Sequence, residues 1–62
     1  MEKLEKGVIV SKKDKEEYFE YAIRFNKNRR MILVYSQNDL VVGNDVFVLC
    51  DFVNGEYTNP RL

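Results

Sequence analysis

Residues 31–53 read MILVYSQNDLVVGNDVFVLCDFV, and this stretch decides the fold class. It holds two apolar runs, 31–35 and 46–53, joined by a polar link that itself carries Leu40, Val41 and Val42. Both runs are rich in β-branched and aromatic residues and too short for a helix, so both read as strands. Their apolar residues occupy both parities instead of every second position. A strand of that kind is either covered on both faces or leaves one face sticky.

Working outward, the second run meets Asn54-Gly55, the strongest short hairpin signal, which favours a type I′ turn. With those two residues as the loop, Val53 faces Glu56, Phe52 faces Tyr57 and Asp51 faces Thr58. Upstream of the first run, residues 17–25 alternate Phe19, Tyr21, Ile23 and Phe25 with Tyr18, Glu20, Ala22 and Arg24, a period of two that favours a strand over a helix. Asn26-Lys27-Asn28-Arg29 then reads as a tight turn. If Lys27 and Asn28 form a two-residue loop, Phe25 faces Arg30, Ile23 faces Ile32, Tyr21 faces Val34 and Phe19 faces Ser36. This register puts Phe19, Tyr21, Ile23, Phe25, Ile32 and Val34 on a core side. Glu20, Ala22, Arg24, Met31, Leu33 and Tyr35 fall on the other. A one-residue change in loop length would exchange the two sets on 31–35.

The remaining segments are weaker. Gly7-Val8-Ile9-Val10-Ser11 reads as a first strand, with the glycine where backbones pass closely. Residues 12–16, KKDKE, read as an exposed charged loop, and 36–45 as a connection that turns Leu40 and Val42 inward. Pro60 lacks the donor a ladder needs and is expected to end pairing near residue 59. The chain is therefore expected to be one domain, 1–62, with strands near 7–11, 17–25, 30–36, 46–53 and 56–59. Five short strands at this spacing suggest an all-β, five-stranded antiparallel barrel, closed to remove its edges. The order of strand, charged loop, long strand, tight turn and strand, then a Leu-x-Val-Gly link into a Val-x-Val strand, resembles an SH3-like barrel. An OB-like barrel is the alternative, although it usually carries a helix where residues 36–43 leave little room.

Composition narrows the function classes. The chain has 62 residues, one cysteine and no histidine. An internal disulfide and a Cys/His zinc site are thereby excluded, and a reducing compartment such as the cytoplasm is expected. No run reaches the length of a membrane span. Formal net charge is zero, unlike a protein that lives on phosphate contacts. Residues 1–30 nevertheless carry nine Lys/Arg against six Asp/Glu, and residues 31–62 only Arg61 against four acids. Without histidine or a nucleophile–base spacing, catalysis has only carboxylates and Cys50 to draw on, and Cys50 has the parity of a core residue. Asp39, Asp45 and Asp51 lack the dense oxygen spacing of a calcium loop. The chain is expected to be no enzyme and to need no cofactor or metal.

Binding remains. With the barrel interior filled by the core set and by Val46, Val48, Cys50 and Phe52, the residues Met31, Leu33, Tyr35, Phe47, Leu49 and Val53 are left outside, rimmed by Arg24 and Glu20. Tyr, Met, Phe and Arg are the side chains that interfaces favour. The leading expectation is a protein-binding module that takes a protein partner or a second copy through this outer face. Its short, Lys/Asn/Ile/Tyr-rich chain would suit a phage or mobile-element protein that binds a host protein. The alternative is a barrel that binds single-stranded nucleic acid through Tyr18, Arg24, Lys27, Arg29, Arg30 and Tyr35.

Overall fold

The structure is a computed structural model and describes residues 1–62. It contains β1 (Glu2–Asp14), β2 (Phe19–Phe25), β3 (Met31–Ser36), β4 (Asp45–Val53) and β5 (Glu56–Arg61). They form one sheet in the order β3-β2-β1-β4-β5, with every pairing antiparallel. The sheet curls until β3 and β5 approach each other, giving a nearly closed small barrel. Strands β1 to β3 form a meander and β4 returns beside β1, the Greek-key arrangement. No helix is long and apolar enough to cross a membrane.

The first strand is much longer than 7–11. Its N-terminal half pairs with β4, from Glu2↔Asp51 to Val8↔Asp45, and its C-terminal half pairs with β2, from Gly7↔Phe25 to Asp14↔Phe19. Charged residues on both sides of the apolar centre join the ladder because pairing uses the backbone. Leu4 and Lys6 alternate outward while Glu5 and Gly7 turn inward. Gly7 and Val8 pair on both edges at once. At Val10 an extra residue shifts the register against β2. This bulge reverses the parity of the C-terminal half of β1: Ile9 faces the core, and so does Lys12, three residues later. Lys12 lies opposite Tyr21, with its ammonium 4.4 Å from the Phe19 ring centroid and bonded to the Asp39 carboxylate. The loop expected at 12–16 is therefore residues 15–18, and β2 begins at Phe19 and not at Glu17. Glu16 there takes a left-handed φ of 74°, and its N–H donates to the Asp14 carboxylate at 2.9 Å.

The hairpin between β2 and β3 keeps the expected register with a different loop. Phe25 N donates to Arg30 O at 2.9 Å and Arg29 N donates to Phe25 O at 3.0 Å. Residues 26–29 thus make a four-residue loop, with Arg29 at φ 60°. Widening the loop by one residue on each side leaves the centre of symmetry, and hence the faces, unchanged. Tyr21, Ile23, Phe25, Val34, Val48, Cys50 and Ile9 are fully buried, and Phe19, Ile32, Leu40 and Val46 pack against them. Full burial of the Val, Ile and Phe side chains among them contributes about 1.5–3 kcal/mol each. Asn54 and Gly55 have φ of 53° and 79°, as a type I′ turn needs. The turn sets the pairs Phe52↔Tyr57 and Val53↔Glu56.

Two expectations at the periphery are corrected. Pro60 does not end β5: Asn59, at φ 50°, starts a bulge, and Arg61 pairs again with Leu49. The missing N–H is tolerated because β5 is the last strand of the sheet. Val42 does not tuck in and is 49% exposed. The β3–β4 connection is tied down instead by Tyr21, whose hydroxyl donates to Asn38 O at 2.5 Å and accepts from Leu40 N at 2.8 Å. Gly43 and Asn44 then bond to both backbone groups of Ile9.

A Cβ built on Gly7 would lie 2.7 Å from the Arg24 carbonyl oxygen and 2.7 Å from Ile23 Cγ2. The oxygen belongs to the ladder and has little freedom to withdraw. Gly7→Ala is expected to cost about 1–3 kcal/mol in urea unfolding; an unchanged midpoint would contradict the close crossing. Tyr21→Phe leaves Leu40 N without its acceptor and is expected to cost about 1–3 kcal/mol. Faster amide exchange across 38–42 should accompany it, and unchanged exchange there would show that the hydroxyl does not hold the connection.

Candidate interaction surface

Strand order decides which outward residues can act together. Met31, Leu33 and Tyr35 project from the outer face of β3 and are 57%, 50% and 58% exposed. Their neighbours on β2 are Arg24, Ala22 and Glu20, row by row. Tyr18, just before β2, meets Tyr35 edge-on with ring centroids 5.6 Å apart. These residues form one continuous face: an apolar line of Met31, Leu33 and Tyr35 beside a shallow Ala22 row, with a cation at one end and a carboxylate at the other.

Phe47 and Leu49 do not join them. β2 and β1 lie between β3 and β4, so three strand spacings, about 14 Å, and the curl of the barrel separate the two groups. Leu49 is half-buried beside Leu4, Arg61 and the β1 ladder, while Phe47 is exposed next to Lys6. The six outer positions, Arg24, Met31, Leu33, Tyr35, Phe47 and Leu49, therefore divide into a β2–β3 face and a smaller β1–β4 patch that includes Leu4. Tyr18 belongs to the first face as well. Its period-two position one residue before β2 places it beside Tyr35 once the register is known.

The basic hairpin divides as well. Arg24, Phe25, Asn26 and Arg29 line an open depression of about 450 Å³, and neither Arg24, Lys27 nor Arg29 forms an ion pair. Arg30 is engaged elsewhere. Its Nη1 donates to Gly55 O at 2.7 Å, and its guanidinium lies 5.6 Å from the Tyr57 ring centroid. Asn28 Nδ2 donates to the Tyr57 hydroxyl at 3.0 Å, and that hydroxyl donates to Glu5 Oε2 at 3.0 Å. Glu5 is the one buried carboxylate, with 7% of its surface exposed. These contacts join the β2–β3 and β4–β5 hairpins across the seam that no backbone bridge closes. The sequence offered no sign of this cluster, since Glu5 sits among charged residues and its inward parity appears only with the full length of β1.

No group of three or more His, Cys, Asp or Glu side chains is assembled where it could hold a metal. Cys50 is fully buried, and loss of solvent pushes its thiol above the ordinary value, which disfavours the reactive thiolate.

Burial, and next the Glu5 carboxylate that accepts its proton, push the Tyr57 phenol above its ordinary value of 10.0. The folded state then holds this proton more tightly than the unfolded chain does. The stabilisation is complete below the unfolded value and is lost as pH rises through the folded one. Tyr57→Phe is expected to cost about 1–3 kcal/mol at neutral pH, because Glu5 loses its donor. Above pH 10.0, its unfolding midpoint should fall less steeply than that of the parent chain. Parallel pH profiles would show that the phenol does not couple the seam to the fold.

Compared with known proteins, the chain matches no family model, no curated protein and no solved structure.

Proposed function

We propose that the chain is a non-catalytic binding module that takes a protein partner on the outer face of β2 and β3. One observation carries this reading: three consecutive outward positions of β3, Met31, Leu33 and Tyr35, are large, apolar and half exposed or more. Nothing in the chain covers them. Leaving such a line in water forgoes about 25 cal/mol for every Å² of apolar surface that a partner would bury. Arg24 and Glu20 supply a charged rim, and Tyr18 an amphipathic edge, in the manner of interface borders. Cofactors and metals have no part in this reading. The lone buried thiol suits a reducing compartment such as the cytoplasm, and a small binder of a host protein encoded by a phage or mobile element fits the size and chemistry.

A second reading is favoured by the unpaired Arg24 and Arg29 that line the open depression, with Lys27 on the same hairpin loop and Tyr18 and Tyr35 at the other end of the β2–β3 face as stacking surfaces. It takes single-stranded nucleic acid as the ligand. It is ranked second because Arg30 is engaged at the seam and net charge is zero.

Leu33→Ser combined with Tyr35→Thr should leave the fold intact, within about 0.5 kcal/mol, because both side chains point outward. It should abolish capture of the partner that the parent chain retains from cell extract, whereas Phe47→Ser should not. Capture that survives the double substitution, or is lost equally with Phe47→Ser, would remove the β2–β3 face from the account. For the second reading, a single-stranded oligonucleotide should bind at low salt and release on Arg24→Ala with Arg29→Ala. No binding at low salt would eliminate it.

A further inference from the structure

The β2–β3 face has an internal symmetry of chemistry. Its three rows run Arg24/Met31, then Ala22/Leu33, then Glu20/Tyr35. Rotation by half a turn about an axis along the central row brings a second copy face to face with the first. β3 then lies over β3 of the other copy in the reverse direction, and β2 over β2. Met31 falls on Tyr35, Leu33 on Leu33, and Arg24 on Glu20 of the opposite copy. Arg24 has no ion-pair partner within its own chain, and neither has Glu20.

We infer that the occupant of this face is a second copy of the chain, docked about a two-fold axis through the Ala22–Leu33 row. This rests on the β2–β3 face being the interaction surface, and adds which partner it takes. Isologous contacts of this kind require a self-complementary patch. Here the two ends carry opposite charge and the middle is apolar, so one rotation satisfies both. Ala22 has no bulk beyond Cβ, which lets the two β2 strands approach as closely as facing sheets do, about 10 Å. Two Arg24–Glu20 pairs flank the apolar centre and fix its direction, since a two-fold axis along the strands would instead lay Arg24 on Met31 and Glu20 on Tyr35 and leave both charges unpaired. Lys13 lies beside Glu20 on β1 and dilutes the acidic end. The curl of the barrel turns β1 away from the contact plane, leaving Lys13 opposite Val8 at the margin. The Phe47–Leu49–Leu4 patch has no such arrangement: Lys6 and Arg61 are its flanking charges, and both are already paired.

Charge exchange tests the axis directly. Sedimentation equilibrium of the parent chain should show a monomer–dimer equilibrium. Arg24→Glu sets Glu against Glu20, and Glu20→Arg sets Arg against Arg24, so each variant alone should dimerise at least about tenfold more weakly. An equimolar mixture of the two single variants restores both pairs and should dimerise like the parent, as should the chain carrying both exchanges. Circular dichroism of each variant reports the fold, and the doubly exchanged chain keeps the test valid if one single variant is unstable. A parent chain that stays monomeric to millimolar concentration overturns the inference. So do single variants that dimerise as well as the parent, or a mixture that stays monomeric. If the parent is monomeric while capture of another protein still depends on Leu33 and Tyr35, the face stands and only the second copy falls. Dimers that persist in Leu33→Ser/Tyr35→Thr overturn both.

Discussion

β1 is hydrogen-bonded along both edges, and the two ladders meet at Gly7 and Val8. At that point the Arg24 carbonyl stands where any side chain on residue 7 would have to go. The rest of the barrel depends on this crossing. It lets one 13-residue strand serve β4 with its first half and β2 with its second. The bulge at Val10 then turns the strand and reverses its parity, so the inner side carries Glu5, Gly7 and Ile9 before the bulge and Lys12 after it, at the barrel end over the Phe19 ring. The sheet curls as a result, leaving the seam between β3 and β5 to be closed by Asn28, Arg30 and Tyr57 in place of a backbone ladder.

The same geometry explains why apolar residues are left outside. Seven side chains are enough to fill so narrow an interior, with Leu40 and Tyr57 stopping the gaps. The chain carries more large apolar residues than that volume accepts. Those on the outward parity of β3 line up because successive outward positions on one strand are neighbours on one face. Those on β4 are carried to another side of the barrel. An excess that looks like one patch in the sequence becomes two surfaces of different character: one an apolar line between Arg24 and Glu20, the other crossed by Lys6 and Arg61.

Much of this was legible in the residues, for identifiable reasons. Asn54-Gly55 fixes the β4–β5 register through its turn type. The aromatic alternation of 19–25 fixes the β2–β3 faces even though the loop is four residues long, because parity depends on where a turn is centred and not on its width. Other features left no local mark. The ladder enlists charged residues 2–6 through their backbone, so β1 reaches further than its apolar centre indicates. A bulge at Val10 has no glycine to announce it. Strand order is a property of the whole sheet, and it alone separates Phe47 and Leu49 from Met31, Leu33 and Tyr35. Arg30 reads as one more cation of a basic turn until Gly55 and Tyr57 are brought beside it.

The central claim is that the outward β2–β3 face is where this molecule meets its partner. Nuclear magnetic resonance tests it most directly, with the methyl groups of Ala22, Met31 and Leu33 and the Tyr35 ring monitored as protein concentration is raised. These signals are expected to move together along one binding curve, while those of Leu4, Phe47 and Leu49 stay still. Movement confined to Leu4, Phe47 and Leu49, or none at any concentration or with any captured partner, would contradict the account.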